Sequence, residues 1–153
     1  MRRGLLIAIA ACLAAGAGRA AVVCSVAATG VAFGTFNPFN STALDSTGTI
    51  TVTCITALSA SETYTVKLST GGAGSYTRTV SSGENTLLYN LYLDSARSSI
   101  WGDGTGGTSF QTWSGTLPSG TTIHNYTVYG RMPALQSAQI GVYADTITVT
   151  VNY

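Results

Sequence analysis

The chain has 153 residues, only 8% of them charged, with 18 glycines and a formal net charge of +1. So few charges argue against a soluble helical bundle, whose outer face is covered by Lys, Glu and Arg. They also argue against a nucleic-acid-binding face, which needs clustered Lys or Arg, since Lys67 is the only lysine. Abundant Thr, Val, Tyr and Gly favour β-strands joined by turns, and the length suits one domain.

The N-terminus has the layout of a secretory signal peptide. Two arginines precede an uncharged apolar run at residues 5–18, and small residues favour cleavage between Ala20 and Ala21. The alternative is a membrane anchor, but the run is shorter than the roughly 20 residues that a span needs. We therefore expect a signal peptide over residues 1–20 and one mature domain over residues 21–153.

Removal of the predicted signal peptide changes the charge and the cysteine count. The mature chain keeps four basic and six acidic residues, so its net charge becomes −2. It also keeps Cys24 and Cys54, which in an exported β domain favour a disulfide over two free thiols. Such a bridge would stabilise the fold by about 3–4 kcal/mol in the chain-entropy model. Two cysteines and the distant His124 are too few ligands for a metal site.

Short apolar segments follow one another through the mature chain, separated by turns rich in Gly, Ser and Asn. Apolar side chains alternate with polar ones in residues 49–54 and 63–69, and residues 86–93 place Leu87, Tyr89, Leu91 and Leu93 on one side, which predicts strands with one buried face. No segment of the mature chain has helical periodicity, so we expect a single all-β sandwich. The strand-like segments lie at residues 21–28, 31–36, 49–54, 63–69, 76–80, 86–93, 121–132 and 143–153.

The last of these segments, residues 143–153, is the most informative. From Ile147 onward its odd positions are apolar and its even positions are Thr or Asn. We expect such a strand to be paired on both edges, because open flat edges invite aggregation. The pattern alone also fits the ordinary closing strand of a complete sandwich. The apolar face consists of Ile147, Val149, Val151 and Tyr153.

Six motifs occur in order along residues 21–153. They are FGTF at 33–36, ITVTC at 50–54, LYNLYLD at 88–94, WGDGTGGT at 101–108, YGRMP at 129–133 and GVYADTITVTV at 141–151. Together they resemble the spore coat protein U domain family, whose members include subunits of archaic chaperone–usher pili. Each motif alone would be weak, but the ordered set covers essentially the whole mature chain.

The resemblance implies an immunoglobulin-like sandwich that lacks its final strand and has an apolar groove beside its last strand. A periplasmic chaperone would fill this groove first, and the N-terminal extension of another pilus subunit would replace it at an outer-membrane usher. The protein would then be exported through the periplasm to the cell surface. The family disulfide maps onto Cys24 and Cys54. The strand-acceptor groove maps onto Gly141, Tyr143, Ile147, Val149, Val151 and Tyr153.

One feature departs from a repeating pilus subunit. Cleavage after Ala20 leaves three residues before Cys24, whereas a donor strand needs at least about 4–8 alternating residues. We therefore expect the chain to accept a strand without donating one, which favours a tip or terminating position. Tip adhesins of the family usually carry an additional receptor-binding domain, which this chain lacks.

The alternative function is a stand-alone secreted binding module or adhesin, for example for carbohydrate. Trp101, Trp113 and Tyr92 would stack on sugars if they were exposed together, although core packing is the favoured role. A hydrolase is not favoured, because the sequence has no Gly-x-Ser-x-Gly elbow and His124 is expected at the surface. The glycine loop at residues 102–107 has too few carboxylates for calcium. We expect no catalytic residue, metal, cofactor or nucleic-acid partner.

Overall fold

The computed structural model describes residues 21–153, and the predicted signal peptide lies outside the described residues. This part of the chain contains eight β-strands and a short 3-10 turn at Gly71–Ala73. The strands are β1 (Val22–Thr29), β2 (Leu44–Thr56), β3 (Ala60–Leu68), β4 (Arg78–Ser82), β5 (Asn85–Tyr92), β6 (Gln111–Leu117), β7 (Gly120–Met132) and β8 (Val149–Asn152). Nothing helical in residues 21–153 has the length and apolar character of a membrane span.

The strands form two sheets, which pack as a sandwich. One sheet has five strands in the order β1-β2-β7-β5-β4, and the other has three in the order β6-β3-β8. Every pair of neighbouring strands is antiparallel. A disulfide joins Cys24 of β1 to Cys54 of β2, which face each other across the two strands. The predictions of an all-β sandwich and of one disulfide are confirmed.

The core follows the predicted alternation. Inward-facing residues of β2, β3 and β5 are almost completely buried, whereas the residues between them, which are mostly polar, are more exposed. Trp101, which follows β5, is 1% exposed, and its indole N–H donates to the carbonyl of Val66 at 2.9 Å. The buried faces of the three strands consist of Ile50, Val52 and Cys54, of Tyr64, Val66 and Leu68, and of Leu87, Tyr89 and Leu91.

Four segments differ from the sequence expectations. Strand β2 begins at Leu44 and ends at Thr56, so it extends beyond the expected residues 49–54 at both ends. Strand β6 was not expected, because only Trp113 and Leu117 give it any apolar alternation, and its pairing with β3 defines it. Residues 31–36 are apolar but join neither sheet. The last strand is shorter than residues 143–153, since Ala144 pairs instead with Ser81 at the edge of β4. The chain therefore crosses from one sheet to the other before β8 begins.

Candidate functional site

An apolar groove lies over the inner face of the five-stranded sheet. Its volume of about 890 Å³ is near the upper end of the roughly 300–1,000 Å³ typical of ligand pockets. The floor comes from all strands of that sheet except β1, and each floor side chain is at most 8% exposed. From this sheet, the floor residues are Ile50, Val80, Leu87, Tyr89, Leu91, Val128 and Met132.

The groove has two walls, and the backbone of each is only partly paired with the rest of the chain. Residues 28–36 form the first wall, and within it residues 31–36 belong to no strand. Residues 138–149 line the second wall, which ends in β8. Strand β8 is paired with β3 along one edge only. An edge strand presents N–H and C=O groups that template pairing with another strand.

Two glycines explain why the first wall packs closely onto the sheet. A Cβ atom at Gly48 would lie 2.7 Å from the carbonyl oxygen of Thr29, and one at Gly130 would lie 2.6 Å from a methyl carbon of Val31. Larger residues at these positions would therefore push the wall away. The ring of Phe33 then packs edge-on against Tyr89, with 5.8 Å between ring centroids.

The second wall is fastened by a carboxylate. Asp145 accepts hydrogen bonds from the Tyr89 hydroxyl at 2.7 Å and from the Gly72 backbone N–H at 2.8 Å. Gly71 makes room for it, because a Cβ there would clash with the carboxylate. Burial and the bond to Asp145 raise the pKa of Tyr89, which keeps its hydroxyl protonated as a donor. Asp145 thus joins residues 138–148 to the floor and to the 3-10 turn.

A buried arginine supports the same region from within the fold. Arg78 of β4 is 0% exposed, and its guanidinium donates to the carbonyls of Ser69 and Trp101 and to the Asn90 amide oxygen at 2.7–3.1 Å. Desolvation lowers its pKa. These bonds connect β4, β5 and the turn after β3 beneath the wall that Asp145 holds.

The sequence matches the family model of the Spore Coat Protein U domain over residues 10–150. The chain belongs to the Spore Coat Protein U domain family. This match confirms the resemblance inferred from the six ordered motifs.

The same fold occurs in a solved pilus assembly complex. One chain of the CsuC–CsuE chaperone–tip adhesion subunit pre-assembly complex, from archaic chaperone-usher Csu pili of Acinetobacter baumannii, aligns with a TM-score of 0.55 and 23% identity. The alignment covers 87% of the present chain and 40% of that one, so the present chain spans less than half of its length. A search of curated proteins found no match.

The structure of this Spore Coat Protein U domain brings four of the six predicted groove residues together: Gly141, Tyr143, Ile147 and Val149 line the groove. Val151 lies further along β8, paired with Val66 and packed against the core. Tyr153 follows β8 and is 54% exposed. Of the two residues at the predicted cleavage site, Ala20 lies outside the described part of the chain, and Ala21 is its first residue.

Sequence reasoning missed the first wall and Pro38 beside it. The available signal was the apolar run at residues 31–36, but nothing local in the sequence shows which surface this run covers. Its partners Gly48 and Gly130 lie in two different strands, β2 and β7, which meet only in the sheet. The position of the first wall opposite the second is therefore a property of the three-dimensional fold.

The aromatic residues of the Spore Coat Protein U domain do not form a common surface. Trp101 is buried, and Trp113 stacks on Tyr64 between the sheets with ring centroids 5.3 Å apart. Tyr92 instead pairs with Tyr129 at the junction of β5 and β7. These positions do not favour the sugar-stacking arrangement considered from the sequence.

The single histidine is half-buried on the inward-facing side of β7, less exposed than the surface position expected from the sequence. Nδ1 of His124 is 2.6 Å from the Tyr64 hydroxyl, which also contacts the Tyr126 hydroxyl at 2.6 Å. Burial raises the pKa of Tyr64. Within residues 21–153, no group of three His, Cys, Asp or Glu side chains is placed to hold a metal ion.

Proposed function

We propose that this Spore Coat Protein U domain is a subunit of a surface fibre assembled by a chaperone–usher pathway and that it accepts a β-strand in its groove. The observation that carries the proposal is an apolar groove between the free edge of β8 and residues 31–36, which belong to no strand. A strand beside β8 would gain main-chain hydrogen bonds, and its alternate side chains would enter the groove. The shared fold with a chain of a chaperone–pilus subunit complex supports this proposal.

The proposal implies a sequence of partners. A periplasmic chaperone supplies the first strand, an outer-membrane usher receives the complex, and a neighbouring pilus subunit supplies the permanent strand. The strand of the neighbouring subunit replaces that of the chaperone in the same groove, so the apolar floor is never left open to water. The predicted signal peptide over residues 1–20 supplies the export step that this route requires.

A finer proposal concerns the position of the subunit. Residues 22–29 are fully paired with β2 and fixed by the Cys24–Cys54 bridge. If the signal peptide is cleaved after Ala20, only Ala21 precedes this strand, and the subunit accepts without donating at a tip or terminus. Mass spectrometry of the N-terminus of the fibre-bound protein tests this: a mature terminus at Ala21 supports the position, and a longer free segment contradicts it.

Coexpression tests strand acceptance directly. We expect the mature chain alone to aggregate and coexpression with its chaperone to give a soluble complex. Ile147→Asp, which places a charge in the groove, should lower the yield of that complex at least about tenfold, because burying an unpaired charge is costly. Thr146→Asp is the matched control, since Thr146 is exposed on the adjacent position. A stable monomer that does not bind the chaperone would contradict the proposal.

A further inference from the structure

Four exposed apolar side chains stand together at one end of the groove. Ile140 and Val142 line the groove itself, and Phe39 and Leu135 line a smaller adjoining hollow of about 430 Å³. The hollow and the groove share Pro38, Ala138 and Gln139. We call the four side chains the collar. Phe39, Ile140 and Val142 are almost fully exposed, and Leu135 is 67% exposed.

Side-chain hydrogen bonds fix the two loops that present Phe39 and Leu135. The Phe39 N–H donates to the Asn37 side-chain oxygen at 3.0 Å. The Gln136 amide accepts from the Leu88 N–H at 2.6 Å and donates to the Leu88 carbonyl at 3.0 Å, so it pairs with β5 as a short strand would. Rigid loops lose little conformational entropy when a partner binds.

Leu135 itself has an unusual backbone conformation. Its φ is +56°, in the left-handed region that residues other than Gly, Asn and Asp seldom adopt. Such strain, at a position whose side chain contributes little to the core, indicates that the exposed side chain has a use of its own. A binding surface is one such use.

The collar has the chemistry of a permanent interface. The loops at residues 37–43 and 133–142 contain no charged residue. Grouped exposed apolar side chains mark interaction sites, and permanent interfaces are more apolar than transient ones. A chaperone binds transiently, whereas a fibre subunit stays in place. The occupant that fits is therefore another subunit rather than the chaperone.

We infer that the collar seats the folded body of the neighbouring subunit whose strand fills the groove. This inference rests on the proposed function. All strand pairs in this structure are antiparallel. The chain leaves the collar at Val142, pairs with β4 at Ala144 and enters β8 at Val149, so β8 continues away from the collar. A donor antiparallel to β8 runs toward the collar, so its C-terminal end and the body that follows it emerge there.

The test combines Phe39→Ser with Leu135→Asn, because Asn tolerates the left-handed conformation and preserves the loop. We expect the chaperone-bound pool to stay within about twofold of wild type and the subunit content of sheared surface fibres to fall at least about tenfold, as for loss of interface hot spots. Leu58→Asn is the matched control. Leu58 is 64% exposed and follows Thr56, the last residue of β2. The other end of β2, Leu44, pairs with Met132 beside the collar, so Leu58 lies far from the collar.

A photocrosslinking measurement identifies the occupant without relying on fibre yield. Phe39 is replaced by the photoreactive analogue p-benzoylphenylalanine, which keeps the aromatic ring. We expect an adduct with a neighbouring subunit in assembled fibres. Normal fibre formation by the double variant, together with no adduct from the p-benzoylphenylalanine variant, would overturn the inference. An adduct with the chaperone alone would overturn it as well.

The two proposals fail in different ways. If the wild-type chain never enters a fibre, or if Ile147→Asp enters as well as wild type, the proposed function fails and the collar inference falls with it. If Ile147→Asp blocks entry while the collar variants assemble normally, strand acceptance stands and only the collar inference is wrong. Comparison of the Ile147 and collar variants in one experiment therefore separates the two.

Discussion

Arg78 shows how one side chain connects several elements at the residue scale. A buried charge is tolerated only when its hydrogen bonds are satisfied, and the guanidinium has acceptors in Ser69, Asn90 and Trp101. These acceptors are two backbone carbonyls and an amide, so most of the stabilisation is hydrogen bonding to a cation. Loss of the donor leaves the carbonyls of Ser69 and Trp101 without this partner, whereas the Asn90 oxygen still accepts from the Leu91 N–H.

Replacement of Arg78 should therefore be severe. We expect Arg78→Met to lower the free energy of unfolding by about 3–5 kcal/mol, because each orphaned buried acceptor costs about 1–3 kcal/mol. Urea unfolding of the chain with a complementing strand fused after Tyr153, followed by tryptophan fluorescence, measures the loss. Arg131→Met is the control: Arg131 pairs with Asp45 at the surface, where an ion pair contributes up to about 1 kcal/mol. Equal losses for the two variants would contradict this account.

Asp145 is the residue that holds the second wall of the groove. Its replacement by Ala leaves the Tyr89 hydroxyl and the Gly72 N–H without their acceptor. We expect the Gly72 and Ala144 amides to exchange with deuterium about 10–100 times faster, since each 1.4 kcal/mol of lost local stability is a factor of ten. Hydrogen-exchange mass spectrometry measures this, with exposed Glu84→Ala as the control. Unchanged exchange would show that the Ser81–Ala144 bridge suffices.

Strand β1 is the element whose attachment depends most on one covalent bond. It lies at the edge of the five-stranded sheet and is paired only with β2, and its end leads into the first wall of the groove. The Cys24–Cys54 bridge closes a loop that contains this wall. We expect the double change Cys24→Ser with Cys54→Ser to cost about 3–4 kcal/mol and to speed exchange of the β1 amides.

Reduction of the wild-type protein provides an independent check on that value. Dithiothreitol should shift the urea midpoint as far as the double serine variant does, because both remove the same covalent constraint. A midpoint that neither treatment moves would show that the β1–β2 ladder alone holds the strand.

At the scale of single elements, the sequence was sufficient where a strand has one buried face. Strands β2, β3 and β5 were predicted because their side chains alternate between a solvent-exposed face and a buried face. Strand β6 carries mainly polar residues, and only its pairing with β3 defines it. The last strand was predicted too long, because Ala144 finds a partner in β4 that sequence periodicity does not reveal.

The candidate site, like the set of strands, was predictable from the sequence only in part. The wall near β8 followed from the apolar odd positions and from the family resemblance, and four of the six named residues line the groove. The opposite wall depends on contacts of Val31 and Phe33 with glycines of two other strands. Such contacts join residues far apart in the chain, so no local pattern in the sequence encodes them.

The whole molecule is an unequal sandwich, with five strands facing three. The three-stranded sheet is too narrow to cover the whole inner face of the five-stranded sheet. The uncovered part of that face is the groove, and its walls are formed largely by segments outside the strands. The collar continues the same apolar surface beyond the end of the groove. On our proposal, one neighbouring subunit would cover both, its strand in the groove and its body on the collar.

The final prediction concerns the stability of the whole molecule. A short linker after Tyr153 and a strand with four Val or Ile at alternate positions would form a hairpin with β8 and place these side chains in the groove. The control carries Ser at the four positions. Because burial of each large aliphatic side chain stabilises by about 1.5–3 kcal/mol, the two fusions should differ by at least about 4 kcal/mol in urea unfolding. Equal midpoints for the two fusions would mean that the added strand leaves the groove unfilled. As a further control, the expected difference between the fusions should disappear when Ile147→Asp is introduced into both.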